Sequence, residues 1–206
     1  LRAARGLRYR DFLTVGLVIY SENLFPDNWI YVHTPGVAIG RIQNFGNWSA
    51  DMVPVPGKTF LGLEYFCFEG DGLWCASDAD LVELAKQEIA KVGLMQAEHV
   101  VDAVVVRQPK AYPVYDETYA QHVEIIRREI ALRYPDLHLV GRNGMHKYNN
   151  QDHAMMTGLL TVLNIIAGKP LYDVWRVNED AEYGEEGVSG AAEALESVRM
   201  VPRRAA

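Results

Sequence analysis

Residues 137–166, L-H-L-V-G-R-N-G-M-H-K-Y-N-N-Q-D-H-A-M-M-T-G-L-L-T-V-L-N-I-I, constrain the fold more than any other stretch. The run 137–140 reads as a short buried strand. Gly141-Arg142-Asn143-Gly144 is a turn whose two glycines let backbone approach closely. Tyr148 leads into a helix that Asn149 or Asn150 can cap, with Asp152 in its first turn. From Ala154 to Ile166 the helix is apolar almost all round, which predicts deep burial. A buried helix whose polar first turn faces a glycine turn is, in outline, an anion or cofactor site. Its free N–H groups and its dipole favour negative charge.

Upstream, residues 7–20, 29–33, 37–45 and 59–68 carry the β-branched and aromatic content of strands. Pro26-Asp27-Asn28 and Thr34-Pro35-Gly36 supply turn chemistry between them, and 52–58 is a loop. Short links between strands predict an antiparallel meander. A helix follows, capped by Ser77 with Asp80 three residues on, and its apolar stripe is Leu81, Ala85, Ile89 and Val92. Residues 99–106 read as a strand, and prolines keep 107–115 extended. Asp116 can cap the next helix, whose apolar face is Tyr119, Val123, Ile126 and Ile130; Pro135 ends it. Beyond Gly168-Lys169-Pro170 the chain turns polar, with an acidic run at 179–186 and room for a short helix at 191–199. The expected class is α+β, or α/β on loose usage.

Composition narrows the function. The 206 residues are 49% hydrophobic, enough for a core, and the net charge of −7 argues against nucleic acid or an anionic membrane as the main partner. No apolar run is long enough to span a bilayer, and cytoplasm is the default location. Cys67 and Cys75 form neither a disulfide framework nor a metal pattern. His146 and His153 lack metal-ligand spacing and read as packing or hydrogen-bonding groups, so no metal is expected.

The segment G-R-N-G-M-H-K-Y-N-N-Q-D-H, residues 141–153, resembles the C-terminal flavin motif of FAD-dependent oxidoreductases of the amine oxidase, protoporphyrinogen oxidase and phytoene desaturase type. It is most similar to the branch of UDP-galactopyranose mutase. The resemblance implies that 137–170 is the strand, turn and helix that return to an FAD-binding domain, with the helix N-terminus aimed at the isoalloxazine. It further implies a substrate-binding domain over 1–136 and a polar tail over 171–206. No G-x-G-x-x-G follows an early strand. The dinucleotide-binding segment is therefore expected upstream of Leu1, as the partner of this chain.

On that resemblance Gly141, Arg142, Gly144, Tyr148, Asn150, Gln151 and Asp152 are the candidate FAD contacts. Arg142 would meet the pyrophosphate or its surroundings with a bidentate fork, or else simply pair with a carboxylate. Asn150 stands where some members carry aspartate. A second stretch, G-R-I-Q-N-F-G-N-W-S at 40–49, also resembles the family. There Arg41 is the candidate for a substrate diphosphate, against a strand arginine that snorkels to water. Trp48, Tyr65 and Tyr112 are candidate walls of the substrate pocket, against aromatics that simply fill a core.

Three functions follow. The first is an FAD-dependent oxidoreductase for a small-molecule substrate, in which the protein supplies orientation and electrostatics. The second is a UDP-sugar mutase using reduced FAD as nucleophile, for which Arg10, Arg41 and Arg107 would matter. The third is a non-catalytic binding module, which would have no use for the 141–152 motif.

Overall fold

The structure, a computed structural model, describes residues 1–21, 24–53 and 55–178. Its helices are α1 (Arg2–Gly6), α2 (Phe45–Trp48), α3 (Gly72–Cys75), α4 (Asp78–Val92), α5 (Tyr119–Arg133), α6 (Gly141–Met145) and α7 (Gln151–Ala167). Its strands are β1 (Tyr9–Ile19), β2 (Trp29–Tyr31), β3 (Arg41–Asn44), β4 (Thr59–Cys67) and β5 (Val100–Pro113). The chain divides into two compact units: Tyr9–Tyr112, and Leu1–Arg8 with the chain from Pro113 onward. The division expected at residue 136 differs from this, because α5 belongs with α1 and α7 and not with the sheet.

The unit Tyr9–Tyr112 is a five-stranded sheet in the order β2-β3-β4-β1-β5. β2, β3 and β4 form the expected antiparallel meander, and β1 then pairs antiparallel with β4, Leu13 opposite Tyr65 and Leu17 opposite Leu61. β5 runs antiparallel at the other edge of β1: the Tyr20 N–H donates to the His99 carbonyl at 2.9 Å, and the Lys110 N–H to Asp11 Oδ1 at 2.7 Å.

Strand alternation sends one set of side chains to each face. Leu13, Val15, Leu17, Ile42, Leu61, Leu63 and Tyr65 face inward and pack under Leu81, Ala85 and Ile89 of α4. These three α4 residues recur every four positions, so one stripe closes the core. Ser77 caps α4 as expected, accepting the Asp80 N–H at 3.1 Å, and Gly93 ends it in the left-handed conformation at φ +83°. Buried Glu88 on α4 accepts the N–H groups of Ala38 at 2.6 Å and Ile39 at 3.2 Å, which satisfies loop backbone that would otherwise lack partners. Arg107 is a strap: it donates to the carbonyls of Trp74 and Ala76 and to Asp78 at 2.6–3.1 Å, which removes it from the candidate phosphate arginines.

In the second unit α1 packs on α5. The α5 N-cap is Thr118; Asp116, the expected cap, accepts the Thr118 N–H at 3.0 Å and its hydroxyl at 2.9 Å. Residues 137–140 are not in a sheet and are mostly exposed. The strand expected there has no neighbouring strand among the described residues. The turn expected at 141–144 is the start of α6. The expectation of deep burial for α7 also fails: only Thr157, Leu160 and Thr161 are buried, whereas Met155 is 68% and Ile166 77% exposed. The reason is geometric. Apolar composition states what a helix needs to cover it, and no described element covers this face. The expectations at 179–186 and 191–199 lie outside the described residues. No described helix is long and apolar enough to cross a membrane.

Candidate functional site

Two places collect the candidate residues, one in each unit. The first is the start of α7. Asn150 is its N-cap, and the Asn150 N–H donates to His153 Nδ1 at 3.3 Å, the return half of a capping box. The N–H groups of Gln151 and Asp152 have no intrahelical acceptor by construction and stand at the positive end of a seventeen-residue helix. Asp152 lies in that turn beside His153, 3.3 Å away, and competes for the same field.

The turn before α7 is held from several sides. Gly141 sits at φ +72°, which only glycine adopts without strain, and its N–H donates to Thr157 Oγ1 at 3.0 Å. Arg142 donates Nε–H to the Asn149 carbonyl at 2.8 Å and lies 4.9 Å over the Tyr148 ring. The Tyr148 N–H donates to the Tyr115 hydroxyl at 2.6 Å. Lys147 Nζ donates to the carbonyls of Trp175 and Val177 at 2.8 and 2.6 Å. Gly144 makes no close approach: a side-chain carbon added there would first meet the Leu139 backbone at 3.9 Å. His146 is buried in the left-handed region at φ +48°, beside Tyr115 and Tyr119 and 3.3 Å from the Val114 carbonyl; burial lowers its pKa.

These residues fit a flavin in one respect that the structure itself shows. A rigid, capped helix start offers two backbone donors, and an ordered turn carrying Arg142 and half-exposed Tyr148 stands beside it. Such an arrangement stabilises a carbonyl or an anionic ring edge. Among the described residues no group of three metal-binding side chains occurs.

The second place is the open face of the sheet, opposite the α4 core. Arg41 and Gln43 of β3 stand there with Glu64 of β4, which the register places opposite Arg41. Glu64 is 1% exposed, and its two oxygens accept from Arg41 Nε and Gln43 Nε2. Burial alone would lower the Arg41 pKa, but the Glu64 hydrogen bond and charge hold it above its usual value. Aromatic rings flank this trio. Phe45 lies over Gly62, Phe60 over Gly16 and Phe66 over Gly40, each where a side-chain carbon on the glycine would approach within 2.7–2.8 Å of the ring. Tyr112 packs 5.8 Å from both Phe12 and Phe66. At the sheet edge Trp48 stacks on Trp29, ring centres 5.2 Å apart, and both are exposed.

Three of the four substrate candidates, Arg41, Trp48 and Tyr112, thus lie on or beside the open face. Tyr65 does not. It is fully buried in the α4 core, where burial and then the Glu88 carboxylate raise its pKa. Sequence reasoning missed Glu64, Gln43, Trp29 and Tyr31. The signal was there: in L-G-L-E-Y-F the apolar set Leu61, Leu63 and Tyr65 alternates with Gly62, Glu64 and Phe66.

The comparisons with known proteins bear on the fold. No family model and no curated protein matches the chain. Solved structures do match. A reduced UDP-galactopyranose mutase aligns with a TM-score of 0.69 at 21% identity, covering 81% of this chain and 36% of that one. A protein described as a protoporphyrinogen oxidase, from Exiguobacterium sp. 255-15, aligns with a TM-score of 0.55 at 19% identity, covering 69% of this chain and 32% of that one. This chain therefore has the α+β fold of one part of such enzymes, the two branches that 141–153 resembles in sequence. It spans about a third of the length of either structure.

Proposed function

We propose that the chain is part of an FAD-dependent oxidoreductase, with the start of α7 facing the flavin and the open sheet face holding the substrate. The observation that carries this reading is the capped, donor-bearing start of α7 beside the Arg142 turn, on a fold like those two enzymes. Bound there, FAD would supply hydride chemistry. The residues of the chain do the rest. The Gln151 and Asp152 N–H groups favour charge on the ring edge they face. Arg142 and Tyr115 hold the turn in place, and the aromatic rings of the sheet exclude water from the substrate.

The partner in this reading is a segment carrying the glycine-rich dinucleotide site. The exposed row Met155, Leu159, Val162 and Ile166 on α7 is the surface it would cover, a row too apolar to remain in water. A second reading, a UDP-sugar mutase without net redox change, draws on the likeness to the mutase structure. Anaerobic incubation of the flavin-loaded complete protein with candidate substrates separates the two. Bleaching of the oxidised flavin band by a substrate identifies an oxidoreductase. Ring interconversion of a UDP-sugar by the reduced protein, without flavin turnover, identifies the mutase and refutes the first reading.

A further inference from the structure

We infer that Glu64 converts Arg41 from an anion site into a site for an uncharged polar group on the open face of the sheet. This deepens the reading of that face as the substrate surface and rests on it. Arg41 and Glu64 are cross-strand partners, and the Glu64 carboxylate is withdrawn from water. Its oxygens are both used within the sheet, one by Arg41 Nε and one by Gln43 Nε2. The guanidinium charge is therefore offset at contact distance. What remains toward the open face is hydrogen-bonding capacity: the Nη side of Arg41, which also bonds the Tyr31 hydroxyl beside it, and the amide oxygen of Gln43.

A phosphate brought to Arg41 would place like charge beside a buried carboxylate with no second cation within the trio. Arg10 is not part of the trio: its guanidinium lies over the Phe66 and Phe68 rings, 5.9 and 5.0 Å from their centres. A hydroxyl, carbonyl or carboxamide meets no such penalty and finds donors and an acceptor already oriented. The surroundings set the rest of the ligand. Phe45 and Phe60 stack 4.9 Å apart on one side of the trio, and Phe12, Phe66 and Tyr112 cluster on the other. The ligand class that fits is a largely apolar, ring-bearing molecule with one uncharged polar group, and not a nucleoside diphosphate.

The test is an isothermal titration with inorganic pyrophosphate at low salt, using the complete protein, Glu64→Gln, and the doubly neutral Arg41→Gln/Glu64→Gln. The three proteins are compared at equal, measured flavin content, so that a vacant dinucleotide site adds the same background to each and failure of the flavin assignment and of this inference read out separately. Releasing Arg41 from its counter-charge should raise pyrophosphate affinity about tenfold or more in Glu64→Gln, the size of one charge-assisted hydrogen bond. The double variant should match the parent within about twofold, since the pair contributes no net charge in either. Unchanged or weaker binding by Glu64→Gln overturns the inference. If Glu64→Gln does not fold, the neutral double variant decides: a tenfold loss there means that Arg41 binds anions despite Glu64, and the inference fails.

Discussion

Arg142 Nε donates to the backbone carbonyl of Asn149 at 2.8 Å, so the guanidinium bridges the first residues of α6 to the last residues before α7. It lies over the intervening Tyr148 ring at 4.9 Å. The arginine therefore shapes the turn from which the helix donors project. Arg142→Ala should lower FAD occupancy of the complete protein and cost about 1–2 kcal/mol of stability. Arg142→Lys should recover little of either, because an ammonium cannot reproduce a planar fork. Flavin content and a urea midpoint measure both; full occupancy in Arg142→Ala would reduce the residue to a surface contact.

Glu88 makes a sharper stability prediction. Its carboxylate is the acceptor for two loop N–H groups, those of Ala38 and Ile39. Glu88→Ala leaves both donors without a partner and opens a gap beneath Tyr65, at a cost of about 2–4 kcal/mol. Glu88→Gln keeps one acceptor and should lose less than half of that. Equilibrium unfolding in urea reads the difference, and a loss under about 0.5 kcal/mol for Glu88→Ala would show that the loop finds water instead.

How much of this was legible in the sequence depends on the range of the cause. Ser77 and Asn150 act within one turn, and both helix starts fall where local capping places them. The meander was legible from its short links. The position of β1 between β4 and β5 was not, since nothing local selects which edge a first strand joins. Of the two readings of Tyr65, pocket wall or core, the alternation with Leu61 and Leu63 favours the core, where the structure places it. Glu64 was missed for a separate reason. A charged residue in a strand reads as solvent-facing until its partners on the next strand are known.

Gly141 isolates conformational strain from packing. At φ +72° it occupies the left-handed region, yet an added side-chain carbon would meet only the Ala154 methyl at an ordinary 3.8 Å. Gly141→Ala should therefore cost about 1–2 kcal/mol from backbone strain alone. Replacing Ala154 by glycine in the same chain should not rescue it. Rescue, seen as a restored thermal midpoint, would mean that crowding and not φ sets the requirement.

His146 gives a pH dependence with a defined sign. Burial holds its pKa below the ordinary histidine value, against the opposing pull of the Val114 carbonyl and Asp116. The unfolded chain then binds the proton more readily than the folded one. The stability from this group is complete above about pH 6.5 and is lost as pH falls through the lower folded value. His146→Asn, which tolerates φ +48°, should flatten that part of the stability profile. An unchanged slope between parent and variant over this range would assign it to other groups.

The flavin assignment is tested most directly by counting flavin. The complete gene product is purified without added cofactor, denatured, and the released flavin is identified and quantified by fluorescence against chain concentration. The expected ratio is close to one FAD per chain in the parent, and lower in a Gln151→Pro/Asp152→Pro variant, which removes the two backbone donors at the start of α7. A parent that carries no flavin and takes up none on incubation with FAD would contradict it.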